Sequence, residues 1–208
     1  MAKPCGHCHL RSPTKRIADP DRLVGIHQNG ANPDGLDASS YPADLDIAQY
    51  SSVFTDTTTA CVPRDVTYQY DGALRPAVVE QTTATHLSAL GLQPQRGRWC
   101  TTSEDRPGAA VVAVIGHQAW QRTFRGDPSI IGRAIRIEGV PVTIIGVGPA
   151  GHTGTFNVGI TTDFWLPVSS LPALGVELAC RSGGPWRQAS SSRPASGMMS
   201  ASPRLRRR

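Results

Sequence analysis

Aromatic residues are scarce in this chain, at 6% of 208 residues, and so are charged ones, at 18%. The longest apolar stretches, around Val111 and Ile144, fall well short of the roughly 20 residues that a membrane-spanning helix requires. Met1 to Leu10 has no apolar core of a signal peptide. No G-x-x-x-x-G-K-[S/T] run is present, which removes the P-loop route to nucleotide hydrolysis. No serine stands in the G-x-S-x-G setting of a nucleophile elbow.

Glycine (21) and proline (17) are plentiful, and they favour many short elements joined by turns. The net charge of +5 hides a division. Residues 1–18 hold four basic groups and no acid, and residues 181–208 hold seven arginines and no acid. Residues 19–180 hold 10 basic and 16 acidic groups, a net charge of −6. An acidic globule lacks the clustered positive surface that phosphate binding needs, so no specific nucleic-acid partner is expected. Residues 181–208 show almost no apolar periodicity, and a segment of that composition cannot offset its ordering entropy.

Local patterns predict a mixture of strands and short helices. Leu23 to Gln28 and Thr55 to Ala60 read as strands, and Gln28 to Ser40 as a loop. A helix is predicted to start at Ser40-Tyr41-Pro42. Val66–Tyr70 and Ala77–Thr83 read as a hairpin around Asp71-Gly72. Thr85–Leu90 reads as a short helix stopped by Gly91. From Val111 the order is buried strand, helix Gln118–Phe124, a stop at Gly126-Asp127-Pro128, and a hairpin turning at Glu138-Gly139. Trp120 and Phe124 share one helical face and belong to the core, whereas Arg122 and Arg125 are expected in solvent.

That order, and the residues that punctuate it, resemble the periplasmic core domain of MacB-like ABC transporter permeases, within the wider FtsX-like permease group. The resemblance rests on Gly97-Arg98, Glu104-Asp105, Val112-Ala113-Val114-Ile115, Trp120, Phe124, Asp127-Pro128, Gly132, Ile135, Gly139, Ile144 and Gly146-Val147. Asp19-Pro20-Asp21, Ser40-Tyr41-Pro42, Leu90-Gly91 and Trp165-Leu166-Pro167 extend it over residues 19 to 168. It implies an α+β fold of mixed sheets with short helices in two lobes, incomplete at the C-terminus. Residues 1–18 are then a basic leader and 169–208 a Ser/Arg/Pro-rich tail, both expected to be disordered. The implied role is non-catalytic, with no cofactor. The domain would transmit ATPase-driven motion to export or to an external partner. An ABC ATPase subunit, permease membrane helices and a second copy are the implied partners. The implied place is the periplasmic face of an inner membrane; the chain alone, without signal peptide or membrane helix, is expected in the cytoplasm. The alternatives are a truncated remnant, or a small haem or redox protein.

The last alternative stands on Cys5-Gly6-His7-Cys8-His9, a C-x-x-C-H run that also spells a thioredoxin-like pair. Haem attachment needs enclosing helices, a thioredoxin site needs a preceding strand, and zinc needs a second ligand pair. With none of these in sequence, Cys5, Cys8 and His9 are weak candidates for casual metal binding. Gly146-Val147-Gly148-Pro149-Ala150-Gly151 matches G-x-G-x-x-G, but the stretch after it lacks a helical stripe and Asp163 comes too early for a ribose contact, so a strand end and loop are expected. His86, His117 and His152 have no ligand spacing, and Glu104-Asp105 is expected in a solvated loop. Cys61 and Cys100 read either as a disulfide or as buried small residues.

Overall fold

The computed structural model describes residues 23–25, 54–156, 159–175 and 186–189. Its strands are β1 (Leu23–Gly25), β2 (Phe54–Thr58), β3 (Arg64–Tyr70), β4 (Ala73–Thr82), β5 (Arg96–Gly97), β6 (Val112–Ile115), β7 (Ala134–Ile137), β8 (Val140–Val147), β9 (Phe164–Pro167) and β10 (Trp186–Ala189). Two helices, α1 (His86–Ala89) and α2 (His117–Phe124), and two 3-10 turns, Pro128–Ile130 and Val168–Ser170, complete the described elements. The architecture is α+β, with a mixed sheet and few short helices, as the sequence predicts.

Six of the strands form a ring. In order round it stand β3, β4, β9, β6, β8 and β7, and β7 pairs back onto β3. The β4–β9 and β6–β8 pairs are parallel and the other four antiparallel. Two hairpins set the register. Asp71 (φ 51°) and Gly72 (φ 75°) turn β3 into β4, and Glu138 (φ 48°) and Gly139 (φ 78°) turn β7 into β8. Two consecutive left-handed residues match the right-handed twist of the flanking strands.

Alternation then sorts the side chains. Val66 and Tyr68, Ala77 and Val79, Phe164 and Leu166, Ala113 and Ile115, Ile135 and Ile137, and Val142 and Ile144 meet in one cluster inside the ring. Helix α2 adds Ala119, Trp120 and Phe124 to it. Trp120 Nε1 donates to the Asp127 carbonyl at 2.8 Å, and the Asp127 carboxylate caps the following 3-10 turn through the Ser129 N–H. The Trp and Asp-Pro of the sequence pattern are thus one local lock that ends the helix. The opposite faces of β6, β8 and β9 carry Val112, Val114, Ile145 and Trp165 against Leu87, Leu90 and Leu92 of the α1 segment. β6 is buried on both faces, which is why it reads as a continuous apolar run.

A second sheet has β10 between β1 and β2, antiparallel to both. β10 falls within residues 169–208, the stretch expected to be a disordered tail, as does most of the Val168–Ser170 turn. Composition misses it because backbone pairing to two strands holds a segment whose side chains have no apolar pattern. The expected disorder of 1–18, the helix near Tyr41-Pro42 and Cys5, Cys8 and His9 lie outside the described residues.

Candidate functional site: a buried polar joint

Among the described residues, the segment after β2 joins the two sheets. After β2, residues 59–61 run beside the end of β4: the Cys61 N–H donates to the Gln81 carbonyl at 2.8 Å and the Thr83 N–H to Thr59 at 2.9 Å. Outward-facing side chains of β4 then become buried under α1 and the 148–163 loop. Here stand Glu80 and His86, both 0% exposed, with Thr58 and Thr162 at 1%.

His86 bridges the two sides. One ring nitrogen, Nδ1, lies 2.8 Å from Thr58 Oγ1 on β2, and the other, Nε2, lies 2.8 Å from Thr155 Oγ1 in the loop. Thr58 also meets Thr83 Oγ1 at 2.9 Å. The chain of contacts continues into the ring through Glu80. Its carboxyl oxygens accept from the Thr155 N–H (3.2 Å to each), Thr162 Oγ1 (3.0 Å) and Trp165 Nε1 (3.1 Å). Gly154 lets the loop come this close. A Cβ there would sit 2.6 Å from Thr162 Oγ1 and 3.2 Å from Glu80, and its φ of +136° is itself unfavourable to other residues. The ring of His152 stacks on Trp165 at 5.4 Å.

Electrostatics follow from burial. Desolvation pushes the Glu80 carboxyl above the usual carboxylate range, against the opposing effect of its Thr155, Thr162 and Trp165 donors. Desolvation, helped by the neighbouring His152, lowers His86 to about 3, and desolvation alone lowers His152 to about 4. Both imidazoles are therefore neutral at pH 7, and His86 can donate from one nitrogen while accepting at the other. Among the described residues no three His, Cys, Asp or Glu groups are placed to hold a metal ion.

Glu104-Asp105 lies in a surface loop, as expected, but both carboxyls have protein partners. Glu104 forms two bonds to Arg98, at 2.6 and 2.7 Å, and the Arg98 pairing brings its pKa down to about 2. Asp105 accepts from the Ala84 and Ser169 N–H groups, each at 3.0 Å, and so ties the start of α1 to the turn after β9. The two carboxyls point to different partners, so they share no acid–base pocket. Arg122 is 61% exposed, yet it pairs at 2.8 Å with Asp163, which also takes the Val78 N–H. Its expected solvation omitted that acid, which lies 41 residues further along the chain. Arg125 is exposed and ends α2 in the left-handed region.

The Gly146 run behaves as a strand end and loop. Gly146 lies in β8, and Gly148 lies against the Trp165 ring, where a Cβ would come within 2.8 Å. No described helix starts between Gly151 and Phe164. The Cys61–Cys100 disulfide is not formed, because Cys100 is a free thiol. His117 stands apart from the joint, against Gln95 at 2.6 Å. Of the three histidines, the fold brings His86 and His152 together. Glu80 was missed altogether; its one sequence signal is a glutamate inside the strand run Ala77–Thr82, where both faces are buried near the end.

Fold and joint together define a mixed α+β module whose assembled polar groups fasten one part of the chain to another. The model of the MacB-like periplasmic core domain family matches residues 10–193, and the chain belongs to that family. That span reaches beyond the expected 19–168 at both ends and takes in β10. The chain is 26% identical over 123 residues, 59% of its length, to the probable syringafactin export ATP-binding/permease protein SyfD of Pseudomonas syringae pv. tomato. It is 28% identical over 126 residues, 61% of its length, to a probable export ATP-binding/permease protein of Pseudomonas fluorescens. Those alignments span 18% and 19% of the two relatives, so the chain matches only a small part of each. Among solved structures, the periplasmic region of MacB from Actinobacillus actinomycetemcomitans superposes with a TM-score of 0.62 at 14% identity, covering 84% of this chain and 77% of that one. The extracellular domain of the ABC-type transporter YknZ from Gram-positive bacteria gives 0.58 at 17% identity, covering 82% and 83%. At these identities the superpositions speak for the fold.

Proposed function

We propose that this domain is a non-catalytic extracytoplasmic module of an ABC-type export permease and that it passes on motion driven by an ATPase on the other side of the membrane. The observation that carries the reading is the buried chain Thr58–His86–Thr155–Glu80, which ties the β1–β10–β2 sheet to the closed ring. Such a tie makes a displacement of one sheet felt by the other, because closely packed interiors shift between discrete arrangements rather than deform freely. Family membership and the ATP-binding/permease names of the two relatives support it. In this reading the partners are an ABC ATPase, the permease membrane helices and a second copy of the domain, and the module works at the periplasmic face of the membrane. No described helix is long and apolar enough to cross a bilayer.

The test is a chimera in which residues 10–193 replace the corresponding part of a related export permease. Export with ATP hydrolysis is expected for the chimera, and His86→Ala should lower export while hydrolysis continues. Loss of both in equal measure would assign His86 to folding alone, and unchanged export would remove the joint from transmission.

A further inference from the structure

The segment from His152 to Thr155 crosses the joint and carries its one unpaired imidazole nitrogen. The ring of His152 lies nearly parallel to that of Trp165, with centroids 5.4 Å apart. Its Nε2 is buried and has no hydrogen-bond partner among the described residues. Thr155, three positions on, gives its N–H to Glu80 and meets His86 through its hydroxyl. The Thr162 N–H donates to the Thr153 carbonyl at 2.7 Å. Ties to β4, to α1 and to the approach to β9 therefore hold the segment down over that nitrogen.

A second proton on His152 changes this balance. Both nitrogens of an imidazolium donate, and Nε2 has nothing to receive its hydrogen. The new charge would lie near the ring of His86, whose own protonation His152 already disfavours. A buried charge without a partner is costly, and no acid offsets this one. Glu80 of β4 is held above the usual carboxylate range by burial, so it is neutralised as pH falls. Asp163, just before β9, is engaged by Arg122 and the Val78 N–H. Asp105 is engaged by the Ala84 and Ser169 N–H groups. β2 bears Asp56, two positions from Thr58. Burial alone brings His152 down to about 4, with no share from any of these acids.

We propose that the segment from His152 to Thr155 is an acid-released latch: proton uptake by His152 drives it off Trp165 and Glu80 while the ring of strands stays closed. Its departure takes Thr155 from His86 as well, so the tie between the two sheets opens with it. In solvent both N–H groups of the imidazolium find water. The cluster inside the ring contains no acid and no histidine, so the same acid leaves it packed. The release follows from the packing at the joint and holds whether or not the domain transmits motion.

Amide hydrogen exchange of the full chain at pH 7 and pH 5, corrected for the intrinsic pH dependence of exchange, tests it. With 6.5 for the freed imidazole and about 4 for the latched one, the open population should rise about twentyfold between these conditions. The Thr155 and Thr162 amides should lose protection by about that factor, while the amides of β6 and β8 keep theirs. His152→Phe keeps an aromatic ring on Trp165 without a titrating group and should retain most of the protection at pH 5. His117→Gln, at the histidine outside the joint, should behave as wild type. Should His152→Phe fold poorly, the His152 ring of the wild-type chain, followed by NMR, should titrate over the pH range in which protection is lost. Unchanged protection at Thr155 and Thr162, an equal loss in His152→Phe, an equal loss in β6 and β8, or titration of the ring in a different range would overturn the proposal.

Discussion

Replacing Glu80 by alanine probes the joint at its centre. The substitution removes the acceptor for three donors at once: Trp165 Nε1, the Thr155 N–H and Thr162 Oγ1. The Thr162 hydroxyl can rotate to another acceptor, but the two N–H groups cannot. A buried donor left without a partner costs about 1–3 kcal/mol. Two such groups, with the volume of a fully buried side chain, give a loss of about 3–5 kcal/mol, a large share of the ~5–15 kcal/mol by which a domain is stable. Glu80→Gln sets a contrast. Burial raises the carboxyl pKa, which favours the protonated form that an amide resembles. Its oxygen can retain Thr162 and Trp165, so the loss should be about 1 kcal/mol. Urea unfolding at pH 7, followed by tryptophan fluorescence, measures both, with an unchanged m-value as the sign of an intact two-state transition. A loss below ~1 kcal/mol for Glu80→Ala, or equal losses for the two variants, would refute the argument that Glu80 fastens the loop.

Gly154→Ala should cost about 1–3 kcal/mol and loosen the 148–163 loop, read as a lower thermal midpoint, because the new Cβ lands 2.6 Å from Thr162 Oγ1 at a φ of +136°. Asp105→Ala deprives the Ala84 and Ser169 N–H groups of their acceptor and should cost about 1–3 kcal/mol in urea unfolding, whereas Arg106→Ala beside it should be near neutral. His86 is lowered from 6.5 to about 3, so the unfolded chain takes up its proton first. Its contribution is complete above pH 6.5 and is lost as pH falls toward 3, reaching about 2 kcal/mol of loss at pH 5. Glu80, with its pKa raised, acts in the opposite sense, and its contribution fades as pH rises. The difference in the pH dependence of stability between wild type and His86→Gln isolates the histidine, and parallel profiles would contradict the shift.

The sequence made the fold legible where local chemistry decides it. The turn residues Asp71-Gly72 and Glu138-Gly139, the apolar run of β6 and the helix stop at Gly126-Asp127-Pro128 depend on neighbours in the chain, and each is found where the pattern places it. The ring closure of β7 onto β3 was not legible, since it depends on the pairing of residues about 70 positions apart. Nor was β10, whose pairing partners β1 and β2 lie far earlier in the chain. The joint was hidden for the same reason. Glu80 reaches Thr155, Thr162 and Trp165, at separations of 75 to 85 residues, and nothing local distinguishes it from a surface glutamate. Arg122 and Asp105 repeat the lesson: their partners Asp163 and Ser169 are brought in by tertiary structure.

Hydrogen exchange of the wild-type chain and His86→Ala, compared amide by amide, examines the tie between the two sheets most directly. Removal of His86 should raise exchange together in β2 (Phe54–Thr58) and in the loop around Thr155, while β6 and β8 inside the ring keep their protection. Unaltered exchange in β2, or a uniform rise through the whole ring, would contradict a mechanical link at this residue.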